Sequence, residues 1–228
     1  MNQTKIEWVK NPDGSQGFTW NPIKGRCPVN CWYCYMKRMY DRFPWLLEGN
    51  GNGVLDLEEV EAPRKRKKPT TIFLCSTYDL FNPYKNDPKS MNMIFDSIKA
   101  CPQHTFQILT KFPENIDRPM PDNVWLGVTV ESGKEIDRTY RLAECQAKIK
   151  FVSFEPLLGQ FYKDDILHIQ IFDWIIIGRL TGFGKEYAPA NYSIEEIMEA
   201  AEDTPIFLKD NLNWPEKIQE FPKAGARE

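Results

Sequence analysis

Short apolar runs alternate with longer amphipathic stretches along most of this 228-residue chain. The runs are rich in Ile, Val, Phe and Trp and mostly lack polar–apolar alternation, which is typical of strands buried on both faces of a parallel sheet. They cover residues 17–20, 72–75, 106–110, 124–130, 150–154, 174–178 and 206–208. We therefore predict a strand at each of these seven positions.

The stretches between these runs have the pattern of helices. Residues 88–100 place Met91, Ile94, Phe95 and Ile98 at helical spacing, as a helix with one buried face requires. Further helices are predicted over residues 32–47, 134–147 and 193–203, with a last short one at 213–221. Ser193 followed by Glu196 has the form of a capping box, so it is expected to begin the fourth helix.

Repeated strand–helix alternation predicts an α/β fold, either a βα barrel or a doubly wound sheet. Polar residues follow most of the predicted strands, and the carboxyl ends of barrel strands are where such folds build their sites. We predict one domain over residues 1–228. Residues 48–70, glycine-rich, then acidic, then basic at 64–68, are expected to form an exposed insertion.

Composition and charge narrow the function classes. Hydrophobic residues make up 42% and charged residues 27%, which is ordinary for a globular chain. The formal net charge of -3 excludes a global basic field, so nucleic acid could be bound only by local patches. No segment has the length of a membrane span and residues 1–10 lack an apolar signal stretch, so we expect a cytoplasmic protein with no membrane partner.

Three of the six cysteines, Cys27, Cys31 and Cys34, form a Cys-x3-Cys-x2-Cys motif. In a reducing compartment, clustered cysteines indicate metal ligands before disulfides. Such a loop can bring three thiolates onto one iron–sulfur cube and leave one iron open for chemistry. The alternatives are cysteines that merely lie in the core, or a zinc site, which needs four ligands. Since His104 and His168 have no paired spacing, the iron–sulfur cluster is favoured.

The motif, with Tyr33 before its last cysteine, resembles the signature of radical S-adenosylmethionine (SAM) enzymes. Trp8, residues 20–22, 73–76, 79–81, 107–111, 123–128, 154–159 and 174–178 further resemble an uncharacterised bacterial and phage family that carries the same cysteine loop. More distantly, the chain is similar to spore photoproduct lyases, which repair a thymine lesion in DNA. The resemblance covers residues 4–209.

This resemblance implies a partial TIM-like barrel of about six βα units, a (β/α)6 barrel of the radical SAM type. It also implies a [4Fe–4S] cluster on Cys27, Cys31 and Cys34, with SAM on the open iron. The reduced cluster of that superfamily cleaves SAM to methionine and a 5′-deoxyadenosyl radical, so an electron donor such as a flavodoxin or ferredoxin is an expected partner. Nucleic acid is expected as a substrate class, and the oligomeric state is left open.

The resemblance also assigns roles to residues at strand ends. Tyr33 is expected near the adenine of SAM, and Ser76 and Asp79 at its amino group, where hydroxyl and carboxylate acceptors suit a cation. Lys111 is expected at the SAM carboxylate or ribose, and Thr129 at the carboxylate. The alternative for each residue is a solvated position at the end of a strand.

Two residues are candidates for the reaction itself. In the lyase group a cysteine near the position of Cys75 returns a hydrogen atom to the product radical, although cysteine is also common in buried strands. Glu155 is expected to bind a substrate amine or hydroxyl, or to anchor Arg26 or Arg179. Where the resembling family has glycine and glutamate, this chain has Arg179 and Leu180. That departure leaves a non-catalytic iron–sulfur or zinc module as the alternative function.

Overall fold

The computed structural model describes residues 1–47, 52–84 and 86–222. They form a mixed α/β fold in which most neighbouring strands are parallel. The chain divides into two compact units, residues 1–125 and 126–228. The predicted α/β class is confirmed at this level.

The first unit is built on three parallel strands. Its strands are β1 (Asn2–Gln3), β2 (Phe18–Trp20), β3 (Ile23–Gly25), β4 (Asn52–Leu55), β5 (Thr71–Leu74) and β6 (Thr105–Thr110). Strand β5 lies between β2 and β6, with Leu74 opposite both Trp20 and Ile108. Strand β1 pairs with β2 in the antiparallel sense, and β3 and β4 form a separate antiparallel pair. The carboxyl ends of β2, β5 and β6 therefore meet at one edge.

The first unit also contains four helices among its described residues. They are α1 (Tyr35–Arg42), α2 (Leu57–Val60), α3 (Ala62–Lys65) and α4 (Pro88–Lys99), with 3-10 turns at Pro44–Leu47 and Pro113–Asn115. Helix α4 buries Met91, Ile94, Phe95 and Ile98, which confirms the predicted apolar face. Asp87 caps this helix by accepting a hydrogen bond from the backbone N–H of Ser90.

Helix α1 is shorter than the predicted 32–47. Residues 32 and 33 lie in a turn, so the helix begins only at Tyr35. It ends at Arg42 because Phe43 precedes Pro44, and a residue before proline is driven out of the helical region. Phe43 accordingly has φ −132° and ψ 72°.

The segment predicted as an exposed insertion is folded where the structure describes it. Residues 48–51 lie outside the described residues, but β4, α2 and α3 follow, and Val60 and Pro63 are buried. The hydroxyl of Ser97 on α4 donates to the carbonyl of Val60 at 2.8 Å. Residues 52–65 are therefore part of the packed first unit, because apolar side chains interrupt their charged pattern.

Strand β7 (Val124–Thr129) crosses from the first unit to the second. The second unit then contains β8 (Ile149–Phe154), β9 (Trp174–Ile177) and β10 (Ile206–Leu208), which are parallel, and α5 (Asp137–Glu144), α6 (Lys163–Ile166) and α7 (Asn191–Ala201). The 3-10 turns of this unit are Gly133–Glu135, Leu167–Ile171, Lys185–Tyr187 and Asp210–Leu212. All seven predicted strands are confirmed to within one residue at either end.

The predicted capping box at Ser193 is wrong. Helix α7 begins two residues earlier, at Asn191 after Ala190, so Ser193 lies inside the first turn and is fully buried. Glu196 instead accepts the backbone N–H of Lys163. Glu196 therefore caps the first residue of α6 and not the start of its own helix, although the sequence has the capping-box pattern.

The predicted helix at 213–221 is also wrong. Asn213 adopts a left-handed conformation with φ 54°, which ends the 3-10 turn at Asp210–Leu212. The chain then runs beside β10: Leu208 donates to Ile218 at 2.7 Å, and Glu220 donates to Ile206 at 2.9 Å. Pairing with the β10 edge satisfies these backbone groups outside a helix.

Large aromatic side chains fill the core of each unit. In the first unit the rings of Trp20 and Phe106 are 5.7 Å apart, and in the second those of Phe151 and Trp174 are 5.6 Å apart. All four side chains are fully buried. In the part of the chain that the structure describes, no helix combines the length and the apolar character that crossing a membrane requires.

Candidate functional site

The three clustered cysteines lie in the loop between β3 and α1. All three have free thiols and are partly exposed. The loop leaves β3 through Gly25, whose φ is 101°, and turns again at Asn30, whose φ is 50°. Glycine and asparagine are the residues that tolerate such left-handed backbone. The N–H of Cys34 then donates to the carbonyl of Cys31 at 3.0 Å, which closes the loop directly before the helix.

Cys27 is held by the segment that follows β5. Its Sγ accepts a hydrogen bond from the backbone N–H of Asp79 at 3.3 Å, and the N–H of Val29 donates to it as well. Burial nevertheless raises the pKa of Cys27 to about 11, because desolvation of a thiolate outweighs these donors. A bound cation would favour the thiolate form, because its charge offsets this desolvation.

The carboxylate of Asp79 joins the ends of two neighbouring strands. It accepts hydrogen bonds from the Thr110 hydroxyl at 2.6 Å, the Lys111 N–H at 2.9 Å and the Phe81 N–H at 3.1 Å. Burial raises the pKa of Asp79, and the three donors oppose that shift. A carboxylate has about four lone-pair positions, so three donors leave one for a ligand. The main role of Asp79 is therefore structural, since it connects the segment after β5 to the end of β6. The sequence did not indicate this role.

The other candidate SAM-binding residues of the first unit are linked by hydrogen bonds near Asp79. Lys111 Nζ donates to the hydroxyl of Tyr33 at 2.7 Å, which connects the cysteine loop to the end of β6. Ser76 Oγ donates to the side-chain carbonyl of Asn21 at 3.2 Å, and the Tyr35 hydroxyl donates to the carbonyl of Ser76 at 3.4 Å. The structure thus links Cys27, Tyr33, Ser76, Asp79 and Lys111 through the β5 and β6 strand ends and their neighbouring loops.

Cys75 occupies the bend where β5 ends. It is buried and has φ 57°, a left-handed conformation that is uncommon for any residue other than glycine. Its N–H donates to the carbonyl of Trp20 at 2.8 Å, and its carbonyl accepts the N–H of Tyr78 at 3.2 Å. Burial strongly raises the pKa of the Cys75 thiol. This bend turns the chain from β5 so that Asp79 reaches Cys27.

Three cysteines can bind either a single metal ion or an iron–sulfur cluster. Within residues 1–47, 52–84 and 86–222, no three His, Cys, Asp or Glu side chains are grouped as ligands of a single metal ion. A single ion draws its ligands toward one point, whereas a cubane binds each thiolate on a different iron and keeps them apart. Three thiols from one loop are the ligand type that an iron–sulfur cluster takes.

The remaining candidates lie in the second unit and have partners there. The carbonyl of Thr129 accepts from Arg138 at 2.7 Å, and the same guanidinium group pairs with Glu131. Glu155 forms an ion pair with Lys209, a partner that the sequence did not single out for it. Leu180 is buried.

Thr110 and Asn21 are contacts of this site that sequence reasoning did not assign to it. Thr110 could have been considered because it carries a hydroxyl group at the end of β6, directly before Lys111. Asn21 follows β2, at the same edge as β5. Both residues are polar and lie at a strand end, which the sequence shows. The sequence does not show which residue each of them contacts.

The basic run at residues 64–68 is largely occupied within the first unit. Arg64 pairs with Glu61 at 3.2 Å and Lys68 with Asp13 at 3.2 Å. The guanidinium group of Arg66 lies 4.0 Å from the ring centroid of Phe18. These contacts neutralise much of the charge of the run within the first unit, so the run is poorly suited to bind phosphates.

Comparison with known proteins assigns the chain to a family. No curated protein and no solved structure matches it. Residues 3–226 match a family described as "Protein of unknown function (DUF5131)". Because the match covers almost the whole length, the chain belongs to the DUF5131 family.

Proposed function

We propose that this protein is a radical SAM enzyme that binds a [4Fe–4S] cluster through Cys27, Cys31 and Cys34. The observation that most directly supports this proposal is the 3.3 Å hydrogen bond from the N–H of Asp79 to Cys27 Sγ. It ties the cysteine loop to the segment after β5, and Asp79 in turn binds Thr110 and Lys111 after β6. An open cluster corner held by this loop would lie beside polar side chains suited to SAM.

When bound, the reduced cluster would supply the electron that cleaves SAM to methionine and a 5′-deoxyadenosyl radical. The chain's own residues would bind and orient SAM. Lys111 offers an ammonium group to its carboxylate, and Tyr33 offers an aromatic face near its adenine. The remaining acceptor position on Asp79, with the hydroxyl of Ser76, suits its amino group. These roles agree with the residue chemistry, since each group would meet its opposite charge or a matching acceptor.

The proposed fold is a partial (β/α)6 barrel of the radical SAM type. It is supported by the parallel strands β2, β5 and β6 in the first unit and by the parallel strands β8, β9 and β10 in the second. In such barrels the site forms at the carboxyl ends of the strands. Thr129 ends β7, and Glu155 directly follows β8.

The test is SAM cleavage by anaerobically reconstituted protein. We expect the reduced wild-type chain to release 5′-deoxyadenosine, measured by chromatography and mass spectrometry. The C27A/C31A/C34A variant should lose this product completely. Cys101→Ala and Cys145→Ala are matched controls, because these cysteines lie outside the loop, and both should retain cleavage. Retention of cleavage by the triple variant would refute the proposal.

A second candidate is a non-catalytic iron–sulfur or zinc module. It is favoured by the hydrogen bonds that the polar groups of the site already form within the chain. Lys111 donates to Tyr33, and the carboxylate of Asp79 accepts from three donors. Calorimetric titration with SAM separates the two candidates. Saturable SAM binding that Lys111→Met weakens supports the enzyme, and a loaded protein indifferent to SAM supports the module.

A further inference from the structure

Helix α1 presents an unusual surface outward. Tyr35, Arg38, Met39 and Arg42 are spaced i, i+3, i+4 and i+7, so they lie on one side of the helix. All four side chains are exposed, while Tyr40 on another side is buried. Solvent-facing helix surfaces are usually polar. Here an aromatic ring and a thioether alternate with two guanidinium groups.

Two more exposed indole rings flank the helix in the sequence. Trp32 lies before α1 and is 53% exposed, and Trp45 lies after it and is 59% exposed. Tyr35 in the helix is 51% exposed. The ring of Trp45 packs edge-on against Phe43. Large aromatics left open together mark an interaction site more often than an ordinary surface. We call Trp32, Tyr35, Arg38, Met39, Arg42 and Trp45 the aromatic–arginine face.

This face is positively charged in an acidic chain. Residues 24–42 contain five basic residues and one acidic residue, although the whole chain has a formal net charge of -3. Lys24 lies near Asp56 and Glu59, and Arg26 pairs with Asp41. The side chains of Lys37, Arg38 and Arg42 are exposed and add positive charge to this part of the surface, which complements a polyanion.

The aromatic–arginine face also reaches the candidate site. The hydroxyl of Tyr35 donates to the carbonyl of Ser76 at 3.4 Å, and Ser76 follows the β5 bend. Trp32 lies between Cys31 and Cys34, with its ring against that of Tyr33. A ligand stacked on this face would therefore extend to the cysteine loop.

We propose that the aromatic–arginine face binds single-stranded nucleic acid. This rests on the proposed function and names its substrate class. Indole and phenol rings stack on bases of any sequence, and guanidinium groups bind phosphates with two parallel hydrogen bonds. An acidic protein partner would not require three open aromatic rings. A lipid surface would need a longer amphipathic helix than the eight residues of α1.

The test compares two pairs of arginine and lysine substitutions. Binding of the full chain to a labelled oligothymidylate is measured by fluorescence anisotropy over a range of KCl concentrations. R38A/R42A should weaken binding about tenfold or more and lower the dependence on salt, since phosphate contacts are lost. The control R64A/K68A removes the same charge from residues that already pair with Glu61 and Asp13, and should change binding little.

A second comparison isolates stacking. Trp45→Ala should weaken binding about tenfold, whereas Trp45→Phe, which keeps an aromatic ring, should retain most of it. Circular dichroism and the midpoint of thermal unfolding should match the wild type for every variant, since these side chains are exposed. Absence of saturable binding, or equal losses in both double variants, would overturn the proposal. So would binding to anionic vesicles or self-association through these residues in place of nucleic acid.

The binding measurement does not depend on the proposed chemistry. It is made without SAM or reductant, on the wild type and on C27A/C31A/C34A. If oligothymidylate binds but no SAM is cleaved, the proposed enzyme fails and the surface assignment stands. If SAM is cleaved but no oligothymidylate or oligouridylate binds, only the surface assignment fails.

Discussion

The backbone N–H of Asp79 donates a hydrogen bond to Sγ of Cys27 over 3.3 Å, across 52 positions of sequence. The carboxylate of the same residue accepts from the Thr110 hydroxyl and the Lys111 N–H. One residue therefore fixes the first cysteine of the motif relative to two strand ends. If the motif holds a cluster, Asp79 determines where that cluster lies relative to Lys111.

Asp79→Asn should destabilise the chain by about 1–3 kcal/mol. An amide has a single acceptor oxygen, so it cannot serve the three donors from Phe81, Thr110 and Lys111, and its NH₂ group would face some of them. Urea unfolding checks this. Asp87→Asn is the matched control, because asparagine caps a helix as well as aspartate does, and it should change the free energy of unfolding by less than about 0.5 kcal/mol. Equal effects of the two substitutions would contradict the role of Asp79.

Cys75→Val should be far more destabilising than Cys75→Gly. At φ 57° a β-branched side chain is a strong outlier, while glycine relieves the strain that cysteine carries. Left-handed strain is worth about 1–3 kcal/mol, which offsets part of the lost burial in the glycine variant. Thermal unfolding of both variants tests this. A valine variant as stable as the glycine variant would show that the bend is not left-handed in solution.

The strands could be predicted from the sequence because they are continuous apolar runs buried on both faces. The cysteine motif could be recognised because its spacing is local, and its role as a cluster ligand set stays a prediction. Two other features could not be predicted, since each depends on contacts between distant segments. Asp79 was expected to face a ligand, yet three internal donors reach it. Glu196 was expected to cap its own helix, yet it binds the N–H of Lys163. A pattern shows that a residue is polar and near an element end, but not which group will satisfy it.

Stability should fall as pH decreases from about 7.5 to about 6. Burial lowers the pKa of His104 below its ordinary 6.5, and the same cause lowers that of His168. The unfolded chain then takes up protons before the folded chain does, so the stability present above the ordinary pKa is lost as pH falls. Unfolding midpoints across this range check the direction.

These are the only two histidines in the sequence, so the double variant H104Q/H168Q is a complete control. The unfolding midpoint of this variant should depend much less on pH over the same range. Glutamine can still donate to the carbonyls of Pro63 and Arg66 that lie 3.1 Å from His104 Nε2. An unchanged slope in the double variant would assign the dependence to other groups.

The Glu155–Lys209 ion pair should show a coupling energy of about 1–3 kcal/mol in a double-mutant cycle. Both side chains are mostly buried, at 23% and 13% exposure, so neither charge is well solvated without the other. The cycle uses Glu155→Gln and Lys209→Met, read by urea unfolding. The exposed pair of Arg141 and Glu144 is the matched comparison, with an expected coupling below about 0.5 kcal/mol. Similar coupling for the two pairs would contradict this distinction.

The central claim is that Cys27, Cys31 and Cys34 hold a cluster with one iron open to SAM. The most direct measurement is electron paramagnetic resonance of the reduced, anaerobically reconstituted chain, with and without SAM, alongside iron and sulfide analysis. We predict about four iron and four sulfide per chain and a signal that changes when SAM is added. Zinc without sulfide, or a cluster whose signal is the same with and without SAM, would contradict the claim.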